Sequence, residues 1–296
     1  MKKLTKILTP ALAALLAALP SFAHAQYTFS TIDAPGAVST SANSNSPHEI
    51  AGEFDDANGD THGFVLNKGH FATIDVEGAI ATTINGINAP GRFAGTYFDA
   101  GGTAHAFLWS KGLVTTLDPP GSIRSQSGSL NAQGEVTGAY RDATQKRHGF
   151  IWKGGAFTSF NVPGDNTPLG TVPLGINDLG QVVGSYVDAA GNRRGFVRSA
   201  KGVFTTFDAP GSDGLTVAEG INNSGQIVGV FFDADGISHG FVLTNGVFTI
   251  VDVPEAAGTQ INSINANGEI VGRYDDADGN THGFIGVLAA RSHSSH

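Results

Sequence analysis

Between residues 215 and 252 the chain alternates short apolar runs with turn chemistry. A run ending at Ile221 gives way to the tight turn Asn222-Asn-Ser-Gly225. Gln226 to Asp233 follows, rich in the Val, Ile and Phe that suit a half-buried pleated surface. Asp233-Ala-Asp-Gly236 turns the chain again, with an Asp side chain able to accept backbone N–H groups of its own turn. Ser238 to Leu243 is a third run, Asn245-Gly246 is a strong two-residue hairpin signal, and Val247 to Asp252 is the fourth run. Four antiparallel strands within roughly 43 residues is the length of one β-propeller blade.

The same unit occurs six times. Its glycine falls at Gly52, Gly95, Gly138, Gly184, Gly229 and Gly272, with spacings of 43, 43, 46, 45 and 43. Seven residues before each glycine stands an asparagine (Asn45, Asn88, Asn131, Asn177, Asn222, Asn265), and four after it an aspartate (Asp56, Asp99, Asp142, Asp188, Asp233, Asp276). Six residues further comes histidine in five copies (His62, His105, His148, His239, His282) and Arg194 in the fourth. The chain segment Tyr27 to Asp33 matches a fourth strand, while the last copy stops after its third, near Leu288. The predicted fold is therefore all-β: a six-bladed β-propeller of four-stranded antiparallel blades over 26–288, its ring closed by the N-terminal strand completing the last blade. Closure removes the exposed edges that an open stack would leave. The aromatic two residues after each glycine and the Phe of each third strand are expected to pack between blades.

The third-strand motif reads His-Gly-Phe in four copies and His105-Ala106-Phe107 in the second. With the glycine-aromatic strand and the Asp-Ala-x-Gly turn before it, the chain from 27 to 288 resembles the extracellular HAF-repeat family of bacterial proteins. The resemblance implies export and a repeat architecture, and brings no established activity or catalytic residues. Copies one, three and four depart from the pattern at Ser44 and Pro47, at Thr144 to Lys146, and at Arg194.

The ends and the charge narrow the setting. Lys2, Lys3 and Lys6, an apolar stretch from Ile7 to Leu19, and Ala23-His24-Ala25 read as a signal peptide over 1–25, so the protein is expected to be secreted or periplasmic. Residues 289–296 read as a disordered tail. Removing 1–25 takes away three lysines and no acid, leaving 14 basic against 26 acidic residues and a net charge of −12. With no basic stripe evident along the sequence, nucleic acid is an unsuitable partner. No later segment is long and apolar enough for membrane insertion, and a monomer is the expected state. The absence of cysteine rules out a thiolate zinc site.

Repeated polar residues invite catalytic readings that geometry discourages. Third-strand histidines of neighbouring blades would stand on the order of 15 Å from the axis and from one another, too far to share a metal. An Asp–His hydrogen bond within a blade, as between Asp233 and His239, is the expected role. No cofactor is expected. Calcium is the alternative that the residues suggest, since Asp233-Ala-Asp235-Gly236 and Asp276-Ala-Asp278-Gly279-Asn280 present closely spaced oxygens. These loops lack the bidentate Glu of an EF-hand. No nucleophile-elbow, zincin or P-loop motif is present.

Differences between copies locate a candidate site. From the end of each fourth strand to the next repeat asparagine the connection runs 12, 13, 13, 16, 14 and 13 residues. Insertions in repeat proteins collect on the binding face. The longest connection carries Asp165 and Asn166, and the next carries Asp213 and leads to Glu219. Arg193 and Arg194 lie beside them. Glu219 is the one charged residue three positions before a repeat asparagine, facing either the central channel or solvent. These six residues form the predicted ligand site. The leading expectation is a non-enzymatic binding or scaffold module for a saccharide or a protein. The alternatives are a propeller hydrolase, lactonase or lyase with a channel-mouth site, with calcium as an optional aid, and a structural surface component.

Overall fold

The computed structural model describes residues 27–89, 91–165 and 167–289. The predicted signal peptide, Asn166 and tail residues 290–296 lie outside the described residues. Numbered along the chain, 24 strands form six four-stranded antiparallel sheets. Blade one comprises β2 (Ser39–Asn45), β3 (Glu49–Asp55), β4 (Thr61–Asn67) and β5 (His70–Ile74), running from the channel outward. Blade three repeats this with β10 (Ser122–Leu130), β11 (Val136–Asp142), β12 (Arg147–Lys153) and β13 (Ala156–Phe160). In blade six, β22 (Gly258–Ile264), β23 (Ile270–Asp275) and β24 (Thr281–Leu288) are completed by β1 (Tyr27–Ile32), which pairs from Tyr27↔Leu288 to Ile32↔Gly283. The molecule is a closed six-bladed β-propeller. The hairpin predicted at Asn245-Gly246 has both residues at positive φ (51° and 82°), as a type I′ turn requires.

The repeat glycine makes room. A side chain at Gly229 would strike the Val217 carbonyl and the Phe241 ring, so only glycine lets the three inner strands and the third-strand Phe approach so closely. Phe64, Phe107, Phe150, Phe196, Phe241 and Phe284 are all fully buried, as the pattern predicts. The second aromatic set also packs against these cores, with Tyr186 and Phe231 buried in them, and does one thing more in the five blades that carry histidine. It stacks on the histidine of the adjacent strand, as Tyr97 on His105 with ring centroids 5.0 Å apart and Phe231 on His239 at 5.2 Å. Most of these rings are only half-buried, because the histidine they face sits at the blade surface.

Four of the repeat histidines, His105, His148, His239 and His282, bridge two acceptors rather than one, while His62 is hydrogen-bonded to Asp75 alone. His239 reaches Asp252 through Nδ1 at 2.8 Å and Asp233 through Nε2 at 3.3 Å. In blade four Arg194 replaces the ring and grips Asp208 through Nε and Nη2. The asparagines both cap their turns and join the blades. Asn177 Oδ1 accepts from the backbone of Leu179 and Gln181, while its Nδ2 donates to the Asn222 carbonyl of the next blade. Asn88, Asn131 and Asn222 donate onward in the same way, forming a ladder around one end of the channel. Blade one breaks the register: Ser46, not Asn45, holds the turn, bonding the N–H of Glu49, because that turn is one residue shorter. Asn45 instead reaches back to the Glu269 carbonyl of blade six.

Candidate binding site in the central channel

The inner strand of every blade carries an irregularity at the same place. The pairing skips Asn43, Asn85, Leu174, Glu219 and Asn262, and in blade three it skips Gly128 and Ser129. A bulge leaves its extra residue outside the ladder and re-aims its side chain. All these residues line the central channel, a cavity of about 440 Å³. Beside the bulges, inner strands of neighbouring blades meet through glycine: a side chain at Gly175 would strike the Glu219 carbonyl, and one at Gly128 the Leu174 carbonyl.

The lining is polar and unlike from blade to blade. Asn262 donates to the Ala42 carbonyl at 3.1 Å and to Asn43 Oδ1 at 3.2 Å. Gln260 donates to Asn262 Oδ1 at 2.9 Å and to Glu219 Oε1 at 3.3 Å. Asn85 donates to the Ser127 carbonyl at 2.8 Å. Two carboxyl groups face this network, Glu53 on the second strand of blade one and Glu219 on the inner strand of blade five. Burial pushes the Glu219 acid up to about 7, against the opposing pull of Arg273 and Arg193. Burial also raises Glu53, with Arg273 again pulling the other way and Asp55 adding to the rise. Near neutral pH the channel therefore offers a mixed set of amide and hydroxyl groups together with a Glu219 acid that is partly protonated.

Among the described residues, the predicted site residues come together only in part: Arg193 lies against the loop of Asp213, its N–H donating to the Gly214 carbonyl. Glu219 points into the channel. Arg193 is half-buried, donates to Ser185 Oγ at 3.2 Å, and stands close enough to bias Glu219 electrostatically. Arg194 is committed to Asp208. Asp165 is buried and accepts from Thr171 Oγ1 at 2.7 Å, shaping its own loop. Asp213 is exposed on the connection before Glu219, and Asn166 lies outside the described residues. The first carboxylate of each acidic turn loop is occupied: Asp276 Oδ1 accepts the N–H groups of Asp278 and Asn280, and Oδ2 accepts from the Asn280 amide. Among the described residues, no three His, Asp or Glu side chains converge as a metal site.

One expectation is overturned. The sequence shows no basic stripe, yet the fold assembles one across three strands of blade three. Arg124 of β10 lies opposite Arg141 of β11, and Arg141 lies opposite Arg147 of β12. These positions are two residues along from the channel-lining Gln126 and Ala139. The three are spread over 24 residues, with gaps of 17 and 6 positions, which is why the stripe is visible only after pairing.

No family model matches the chain, and no curated protein matches it in sequence. Solved structures do match in fold. The chain is similar to a streptogramin B lyase at 13% identity and a TM-score of 0.52, covering 87% of each chain. It is similar to the Aleuria aurantia lectin in complex with α-methyl-L-fucoside at 12% identity and a TM-score of 0.53, covering 88% of this chain and 96% of the lectin. It is also similar to TolB from Acinetobacter baumannii at 10% identity and a TM-score of 0.56, covering 81% of this chain and 64% of TolB. A lyase, a lectin and TolB on one architecture show that the β-propeller fold leaves the function open.

Proposed function

We propose that the protein is a secreted, non-enzymatic binding module whose central channel takes a hydroxyl-rich ligand, a saccharide. The observation that carries this reading is the ring of bulges, which aims Asn43, Asn85, Glu219 and Asn262 into one cavity of about 440 Å³. Such a size suits a small ligand, and amides with a protonated acid match the donor and acceptor pattern of sugar hydroxyls. The test is calorimetric titration with a panel of neutral oligosaccharides. Saturable binding that is lost in Asn262→Ala supports the reading. Failure of every sugar to bind sinks it.

A second reading is favoured by Glu219 itself. An acid held near 7 in a channel that a second carboxyl group, Glu53, also lines is suited to proton transfer in a hydrolase or lyase. Glu219→Gln separates the two, because the amide copies the neutral acid. In a binding module the affinity changes by less than about 1 kcal/mol. In an enzyme, binding persists while release of a cleaved product stops.

A further inference from the structure

Like charges directly opposite one another on a sheet face repel, and natural strands avoid them. Blade three places three arginines in such a row, Arg124, Arg141 and Arg147, with neighbouring Cβ atoms about 5 Å apart. In blade two the matching row is neutral (Ala81, Phe98 and Ala104), in blade one it is self-paired (Ser39, Asp55 and Thr61), and in blade four it holds a single cation, Arg193 opposite Val187. Among the described residues the ion pairs made by Lys and Arg are Lys153–Glu135 and Arg194–Asp208, so no carboxylate neutralises the row. Arg193 of blade four adds a fourth cation close enough to act on Arg147.

The row is also built into the structure. Arg141 Nη1 donates to the carbonyls of Gln145 and Pro168, which ties it to the longest connection of the ring. Its Nε is buried with no hydrogen-bond partner. The Arg147 backbone joins the same loop, its N–H donating to the Pro168 carbonyl. Burial, together with Arg141, Arg124 and Arg193, lowers the Arg147 guanidinium to about 10, so the row stays charged at neutral pH. A protein of net charge −9 thus concentrates unpaired positive charge at one place, beside the channel.

We infer that the Arg124–Arg141–Arg147 row of blade three is a binding site for a tetrahedral oxyanion, a sulfate or phosphate group. Guanidinium forks present paired N–H donors matched to such oxygens, and a dianion turns the mutual repulsion of the row into attraction. The inference does not rest on the saccharide reading, since the probe is an inorganic ion and the channel amides take no part.

The test is a thermal-shift titration of the purified protein with sodium sulfate and with sodium phosphate, against sodium chloride at matched ionic strength. The melting temperature is expected to rise saturably with either anion, as a ligand specific to the folded state requires. Arg147→Gln is expected to weaken this binding at least tenfold and to melt above the parent when no anion is present. Arg124 is exposed, so Arg124→Gln keeps the test open if Arg147→Gln fails to fold. A linear, unsaturable rise of equal size in parent and variants is the general effect of excluded salts and overturns the site. Calorimetry with a sulfated oligosaccharide and its desulfated form then fixes the source. Tighter binding of the sulfated sugar than of inorganic sulfate assigns the row to an esterified ligand. Equal binding assigns it to the free anion, and no binding of either overturns the inference.

Discussion

Blade one and blade three share one strand order and treat the same three cross-strand positions in opposite ways. In blade one the row is Ser39, Asp55 and Thr61, and both hydroxyls donate to the central carboxylate at 2.7 Å. In blade three it is Arg124, Arg141 and Arg147, and nothing within the blade answers the charge. The first row is complete in itself. The second is complete only with something from outside. Where a repeat protein keeps a backbone and discards the internal pairing of its side chains, the discarded pairing marks where a partner is met.

The comparison requires that the two blades share one scaffold, and this gives the largest expected effect. Phe64→Ala and Phe150→Ala each empty a fully buried ring site and should each cost about 3–5 kcal/mol in denaturant unfolding. A large inequality between them would show that blade three differs in its core as well as in its row. Glu219 provides a contrast in the channel. Its folded pKa, about 7, is raised above the unfolded value, so its contribution is fully favourable below pH ~4.3 and is lost as pH rises through 7. Glu219→Gln should match the parent near pH 4 and exceed it by at most about 3.6 kcal/mol at pH 8. The cost of the arginine row should instead stay flat across this range, because its guanidiniums do not titrate there.

Smaller effects separate the rows themselves. Asp55→Ala leaves the Ser39 and Thr61 hydroxyls without their acceptor and should destabilise by about 1–2 kcal/mol, read as a lower denaturation midpoint. Arg147→Thr, which imports the blade-one residue, should stabilise the anion-free protein by roughly 0.2–1 kcal/mol by removing one opposed like-charge pair. The opposite signs of these two changes are the sharpest statement of the comparison.

Much of this architecture is legible in the sequence because it depends on short-range signals set in a sixfold repeat. The Asn-Gly hairpin, the Asp-Ala-x-Gly turn and the fourth-strand character of residues 27–33 each lie within one short window, and together they give blade count and closure. The buried Phe set is legible for the same reason. What is hidden depends on pairing between strands or on the ring. The asparagine ladder joins residues 43 to 46 apart, so the turn-capping role is readable and the inter-blade role is not. Glu219 is singled out by its departure from the repeat, yet the bulge that turns it inward is set by the partner strand. Arg194 shares that signal of departure but serves the blade itself, as a substitute for histidine. Arg124, Arg141 and Arg147 each look like solitary surface cations until the register of β10, β11 and β12 brings them together.

The account holds that blade three departs from the common blade to meet a partner, and one paired measurement tests this most directly. The double variant Arg124→Ser, Arg147→Thr rewrites the flanks of the row as blade one has them. Its melting temperature, taken without and with saturating sulfate, should lie above the parent in the first condition and fail to rise as the parent does in the second. A variant that melts below the parent without sulfate, and gains as much as the parent when sulfate is added, would contradict the account.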